Sequence, residues 1–544
     1  MSHFRILAAA AAAFMLTATG CAGSSSSPGL VSYSIDANAG GLLETVDGIA
    51  NLTVVSRDPN DLRAEYRAGF VQGKMQASSV VSARDNSWDN IYQTDPGHNF
   101  PRQPGPSAAE LDRAAGILRV NYGALLSWIR SGKDAAPELR RVLFRMLGIY
   151  HGATRAAPAA LDFGGVWLPD EAYLTPAELA LGYETQGLSF LDVYFLNTFA
   201  DLMDVITFSA RTSAEDARPT KCSAFLKRVG DEVFLTHNTW QGFLSQTMAM
   251  TLWVNDVFLT VNASTPGLVN SGTDFGWNRA GIMFNETTHR VAYTEPREAG
   301  LWTLWRAAVA EAFSTSIDDF FRYISIDSSG TYQNGYMVVD AKTRETGLVE
   351  MSYRCFIFYR SSGGAYAVTA KPVGGASCST DYDHELVSPV QLLGINFPAS
   401  LQVRADLQST DNRPARRVQF LRLLPSVADV EGAKTVITYT DPANPLSIYG
   451  RWDLGYGETA YPKMVPDGSL DAKVATASMA REALTLTGTL DPASTQKGMW
   501  MRFGTARVNG APFTWSRSSW SWQKLRDVPD TLDGSFQLLG LHLR

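Results

Sequence analysis

The chain has 544 residues, a net charge of −7 and 45% apolar residues, the profile of a globular protein with one large or two ordinary domains and a sizeable core. Lys and Arg are scattered without a run, which excludes an electrostatic footprint for nucleic acid. The 13 Trp, 20 Tyr and 26 Phe suit a β-rich core and an apolar pocket equally.

The first 21 residues read as a targeting segment. Arg5 supplies the positive charge, residues 6–16 the apolar stretch, and Ala18-Thr19-Gly20-Cys21 a small-residue cleavage site. The apolar stretch is shorter than the roughly 20 residues that span a bilayer. Cysteine after small residues, followed by the serine run 24–27 as a flexible tether, resembles a bacterial lipoprotein signal with Cys21 as the lipidation site. An ordinary secretory signal is the rival reading. The expectation is an exported protein, anchored through lipid to a membrane at the periplasmic or cell surface, or otherwise secreted.

Residues 33–55 read as strand material turning at Gly40-Gly41, and residues 61–83 as a helix that starts after Pro59-Asn60. A loop is expected over 86–106, helices over 108–130 and 138–150, an irregular stretch over 151–170, and helices over 176–206. A mainly helical N-terminal fragment thus occupies 22–221. A catalytic fragment is expected over 222–544, where the pattern switches to period two. Strands are read at 248–254, 257–261, 283–284, 290–293, 336–341, 347–353, 355–359 and 365–370. Helices are read at 301–324, 413–424 and 471–484. Blocks of strands between helices point to layered sheets covered by helices, not to alternating βαβ units.

At the switch, residues 221–240 read as two short strands joined by a tight turn at Gly230-Asp231. Cys222 opens the first strand after the polar, turn-rich stretch 211–220, and His237 lies toward the far end of the second. With Cys21 assigned to lipid, Cys355 and Cys378 can pair in an oxidising compartment, which leaves Cys222 as the odd thiol.

The absent motifs narrow the field: no Gly-x-Ser-x-Gly elbow, no His-Glu-x-x-His, no Cys-x-x-Cys and no P-loop. Ser494-Thr-Gln-Lys497 and Ser521-Trp-Gln-Lys524 match Ser-x-x-Lys, a pattern short enough to recur by chance. His3, His98, His151, His289, His384 and His542 show no ligand spacing, so neither a metal site nor another cofactor is expected.

Cys222-Ser-Ala-Phe-Leu226 followed by Thr236-His-Asn-Thr-Trp240 resembles the phospholipase B-like (laminin-A-like) family of N-terminal nucleophile hydrolases. The same resemblance continues in order through Ser264-Thr-Pro-Gly267, Ser271-Gly-Thr-Asp-Phe275, Asn285-Glu-Thr-Thr288 and Ser329-Gly-Thr-Tyr-Gln-Asn334 into Tyr336-Met-Val-Val-Asp340. Arg416 with Phe420 and Arg422, then Asp471-Ala-Lys-Val474 and Pro512-Phe-Thr-Trp515, complete it. The resemblance implies a four-layered αββα fold of class α+β, with two stacked antiparallel sheets. It also implies self-cleavage between Lys221 and Cys222, and the apolar faces of the N-terminal helices point to the two fragments remaining associated.

Cleavage would free an α-amine with a reference pKa of about 7.7–8.0 beside a thiol of about 8.5, so proton transfer between them is nearly balanced. His237 is the neighbour placed to tune the thiol, and Trp240 a candidate pocket wall. By resemblance, Asn396 in Gly394-Ile-Asn-Phe-Pro398 matches an oxyanion-stabilising asparagine, Arg416 an active-site arginine, and Thr288 a residue shaping the cleft. Asn412-Arg413-Pro414 shifts the family's local Asn-Pro-Arg pattern, so Arg413 competes with Arg416. The implied activity is deacylation of a phospholipid-like substrate through a thioester. An amidase acting on linear N-acyl amides, and a surface-binding lipoprotein that kept the fold without the chemistry, are the alternatives.

Overall fold

The computed structural model describes residues 29–93, 108–161, 163, 187–210, 222–243, 246–255, 258–297, 300–411, 414–441, 443, 447–452, 467–518 and 528–544. The targeting segment with Cys21, the serine tether, the polar stretch 211–220, Lys221 and Asn412-Arg413 lie outside these residues, as do parts of the segments expected over 86–106, 151–170 and 176–206.

Two sheets dominate the described residues. The larger has eleven strands, edge to edge Val31–Asp36, Ala39–Val46, Ile49–Ser56, Met248–Val254, Phe258–Ser264, Phe275–Asn278, Ile282–Thr288, Asn334–Asp340, Thr346–Met351, Cys355–Ser361 and Ala367–Pro372. The smaller runs Val387–Ser388, Gln391–Gly394, Ser223–Val229, Glu232–Gly242, Asp467–Thr476, Lys497–Phe503 and Gln537–Gly540. Every pairing within them is antiparallel except that of Ile49–Ser56 with Met248–Val254, where the N-terminal segment joins the sheet built by residues beyond 222.

The sheets stack with helices on both outer sides. Helix Asp61–Met75 packs on Ala39–Val46, Ile49–Ser56 and Met248–Val254, and helices Thr303–Phe313 and Ile317–Ile324 cover the middle of the same sheet. Helices Val430–Ile437 and Ala477–Ala483 cover the smaller sheet. Strand alternation explains the layering. Met283 and Met337 join the core that contains the smaller sheet's Phe225 and Ala472, whereas their neighbours Ile282, Phe284 and Val338 join the core under the helices. The fold is therefore α+β with αββα layers, as the resemblance implies.

Several local readings change. Gly40 and Gly41 sit inside a strand, and the turns fall at 37–38 and 47–48. The glycines serve close packing, because a Cβ on Gly41 would lie 2.7 Å from Met75 Sδ and one on Gly40 2.9 Å from the Tyr33 carbonyl. The helix expected over 61–83 is two helices, Asp61–Met75 and Ala77–Gln93, the first capped by Asn60 accepting from the Arg63 amide. The second continues into the expected loop, and helix Ala136–Thr154 likewise outruns its expected end. The span 301–324 is also two helices, the second opened by a Ser316 cap. Residues 290–293 form no strand.

The largest correction is at 471–484. Asp467–Thr476 is a central strand of the smaller sheet and only Ala477–Ala483 is helical. Leu470, Ala472 and Val474 alternate with Ser469, Asp471 and Lys473, a period of two that favours the strand. Cys355 and Cys378 are joined in a disulfide.

Candidate active site

The hairpin at the head of the smaller sheet forms as read. Ser223–Val229 pairs with Glu232–Gly242 in the register Val229 to Glu232, leaving Gly230-Asp231 as a two-residue turn with Gly230 at φ 56°. Ala224 lies opposite His237. Alternation then puts the Cys222, Ala224 and His237 side chains on one face, while Ser223 and Asn238 occupy the other. Cys222 Sγ, a His237 ring nitrogen and an Asp274 carboxylate oxygen all lie within 4.8 Å of one another. Cys222 and His237 are buried, Asp274 is partly exposed, and Cys222 is the free cysteine among the described residues.

The backbone of Cys222 is clamped. Arg416, fully buried, donates from Nη1 to the Cys222 carbonyl (2.6 Å), to Ser223 Oγ (3.1 Å) and to Asn396 Oδ1 (2.9 Å), and from Nη2 to the Ile395 carbonyl. One planar guanidinium thus ties the start of strand Ser223–Val229 to the Ile395-Asn396 turn, a task its fork of donors suits. Asn396 takes a left-handed conformation, φ 61°, which asparagine tolerates better than most residues. Its Nδ2 donates to the Thr288 carbonyl (2.7 Å), which uses one of two amide hydrogens.

On the other side of the hairpin lies a buried ion pair. Lys473, opposite His237 in the neighbouring strand, donates to Asp471 Oδ1 (2.6 Å), Thr239 Oγ1 (2.6 Å) and the Thr273 carbonyl (2.8 Å). Asp471 also accepts from the Thr239 amide and Thr247 Oγ1. Satisfying both ions this fully is what makes such a pair tolerable without water. The segment leading into strand Phe275–Asn278 brings Asp274 against Glu286, and Glu286 in turn faces Thr288 and Tyr332.

These neighbours fix the protonation states. Burial pushes the Cys222 thiol well up, and Asp274 and Glu286 push it further, against a smaller opposing effect of the Trp240 backbone amide and Lys473. Burial, reinforced by Lys473, holds His237 well below its ordinary value, so its ring is neutral. Burial raises Asp274 to about 7 despite Lys473, and raises Glu286 well above the carboxylate range, with Asp274 adding to the effect. In the uncut chain the centre holds a neutral thiol, a neutral imidazole and a carboxyl pair that retains a proton.

The site residues expected from sequence do not all meet. Cys222, His237, Asn396 and Arg416 cluster around the hairpin head, and Thr288 joins them through Asn396 and Glu286. The Trp240 side chain stands on the opposite strand face from His237. Gly450 packs so tightly there that a Cβ would lie 1.8 Å from the indole ring. Its contribution to the centre comes through its backbone amide, not as a pocket wall. Asp274, Glu286, Asp471 and Lys473 were not singled out, although each lies inside a stretch quoted for the resemblance. Charged residues on buried strands are the available signal for Glu286, Asp471 and Lys473.

Residues 176–358, which contain Cys222, His237, Asp274 and Glu286, match the family described as Phospholipase B. Among similar curated proteins, Phospholipase B-like protein F of Dictyostelium discoideum is 21% identical over 450 residues, 77% of this chain and 75% of its own length. The chain is similar to the phospholipase B-like family. Phospholipase B-like protein G of the same organism is 26% identical over 59% of this chain, and Phospholipase B-like 1 of Rattus norvegicus 25% identical over 32%. The chain spans 56% and 35% of the lengths of these two relatives.

Proposed function

We propose that this chain is a self-maturing hydrolase whose nucleophile is the thiol of an N-terminal Cys222, acting on the acyl group of a phospholipid-like substrate. The observation that carries the reading is the treatment of Cys222: a free thiol at a strand head, grouped with His237 and Asp274, on a backbone held by Arg416. Cutting the Lys221–Cys222 bond supplies what the uncut centre lacks. A new α-amine beside the raised thiol accepts its proton, and the resulting ammonium stabilises the thiolate. The thiolate attacks the acyl carbonyl, the amine returns the proton to the departing oxygen, and water then releases the acyl group from the thioester. The second Asn396 amide hydrogen is the donor assigned to the oxyanion, with Arg416 fixing that side chain through its Oδ1. His237, neutral and approached only by the Glu286 backbone, whose contact falls short of normal hydrogen-bond geometry, is available to orient the substrate.

The sheet supports continued association of the two fragments. Strands Val31–Asp36, Ala39–Val46 and Ile49–Ser56 extend the larger sheet through the pairing with Met248–Val254, and helix Asp61–Met75 packs across the join. Among the described residues no helix is long and apolar enough to cross a membrane. Export and a lipid anchor at Cys21 rest on the targeting segment.

The test is hydrolysis by the matured protein of two panels, diacyl phospholipids and linear N-acyl amides, beside Cys222→Ser. The reading expects fatty-acid release from phospholipid that Cys222→Ser abolishes. Release from amides alone would transfer the activity to an amidase. Turnover of neither panel would favour a binding protein that kept the fold.

A further inference from the structure

We infer that Cys222, His237 and Asp274 form a binding site for one divalent ion of the zinc class, and that occupancy holds the thiol unreactive. The three donors come from three separate segments: the head of strand Ser223–Val229, strand Glu232–Gly242, and the residue before strand Phe275–Asn278. Their ligand atoms lie within 4.8 Å of one another. Bonds of about 2.0–2.3 Å to a tetrahedral zinc place donors about 3.5 Å apart, so small side-chain rotations close the set.

The imidazole is the second observation. His237 is fully buried, yet neither ring nitrogen has a hydrogen bond of normal geometry, and only the Glu286 backbone approaches the ring. A buried polar group left so is costly, and coordination to a metal would satisfy it. Thiolate, imidazole and carboxylate together suit zinc and exclude magnesium or calcium as preferred occupants. The surroundings admit a dication: the Asp274–Glu286 pair faces the centre and can release its shared proton on metal binding, and the Lys473 cation is offset by Asp471 at 2.6 Å. Partly exposed Asp274 gives the ion a way in. If the chain is cut before Cys222 as proposed above, the freed α-amine and Sγ of one residue form a chelate and supply a fourth donor. Coordination withdraws electron density from the sulfur and lowers its nucleophilicity, so zinc is an inhibitor of the proposed activity.

The test uses the whole purified chain, freed of metal by chelation and kept reduced. Titration with Co²⁺ should saturate at one equivalent with a thiolate-to-cobalt charge-transfer band and tetrahedral visible bands, and Zn²⁺ should displace the cobalt. Cys222→Ser should lose the charge-transfer band, and His237→Ala and Asp274→Asn should each weaken cobalt binding at least about tenfold. Zn²⁺ should also protect Cys222 of the unmodified chain from iodoacetamide, with EDTA restoring labelling; this readout does not depend on any variant folding. Absence of the charge-transfer band, failure of Zn²⁺ to protect Cys222, or unchanged cobalt affinity in folded His237→Ala and Asp274→Asn would each overturn the site. No readout involves hydrolysis. A chain that binds zinc and hydrolyses nothing would defeat the proposed function while leaving the site intact.

Discussion

Replacing Arg416 by Lys keeps the positive charge and removes the fork. The guanidinium reaches four acceptors with two nitrogens, Nη1 holding Cys222 O, Ser223 Oγ and Asn396 Oδ1, and Nη2 holding Ile395 O. An ammonium is a single point and shorter, so it can occupy the Nη1 position or the Nη2 position but not both. At least one buried acceptor is left without its donor, which costs about 1–3 kcal/mol. Urea unfolding of an Arg416→Lys chain should therefore show a lower midpoint at unchanged slope. Because the same nitrogen orients Asn396 and the Cys222 carbonyl, appearance of cut fragments should also slow. Stability within about 0.5 kcal/mol of the parent, the range of ordinary surface changes, together with unaltered cutting, would refute the clamp.

Gly450→Ala would drive a Cβ to 1.8 Å from the Trp240 ring, and the overpacking should cost about 1–3 kcal/mol or more, visible as a lower melting temperature. An unchanged melting point would contradict the packing. Burial lowers His289 to about 3, so the folded state resists the protonation that the unfolded chain accepts below about 6.5. Stability is lost as pH falls through that window, and His289→Gln should flatten the slope between pH 6.5 and 4 by up to about 1.4 kcal/mol per pH unit. Parallel slopes for parent and variant would place His289 in water. In the uncut precursor, iodoacetamide labelling of Cys222 should rise only above the ordinary thiol value of about 8.5, because burial, Asp274 and Glu286 all oppose the thiolate. Half-maximal labelling at neutral pH would contradict that environment.

Much of the Cys222 hairpin was legible because its signals are local. A Gly-Asp pair between alternating apolar residues sets turn, register and face together, and Cys222 and His237 follow from it. The longer helices were legible by period, and 108–130 matches its helix Ala108–Arg130. Misreadings arose where tertiary packing gives a residue its purpose. Gly40 and Gly41 read as a turn, yet they let a helix approach a strand. Asp471 and Lys473 read as part of a helix, because a buried ion pair is recognisable only when Thr239, Thr247 and Thr273 arrive from elsewhere in the chain. Asp274 and Glu286 were hidden for the same reason. The two meet within the larger sheet, where Phe275 pairs with Asn285 and the Glu286 amide donates to the Asp274 carbonyl, but their approach to Cys222 and His237 belongs to the packing of one sheet on the other, which no spacing in the sequence records. Of the two competing arginines, Arg416 reaches Cys222, while Arg413 lies outside the described residues.

The central claim is that Cys222 becomes a chain terminus by its own action, and the most direct measurement is N-terminal sequencing of fragments separated on a denaturing gel. The purified chain should resolve into two bands, the larger beginning Cys222-Ser223-Ala224, while Cys222→Ala should run as one uncut band. A parent chain that stays intact under maturation conditions, or a Cys222→Ala chain cut at the same bond, would contradict the account.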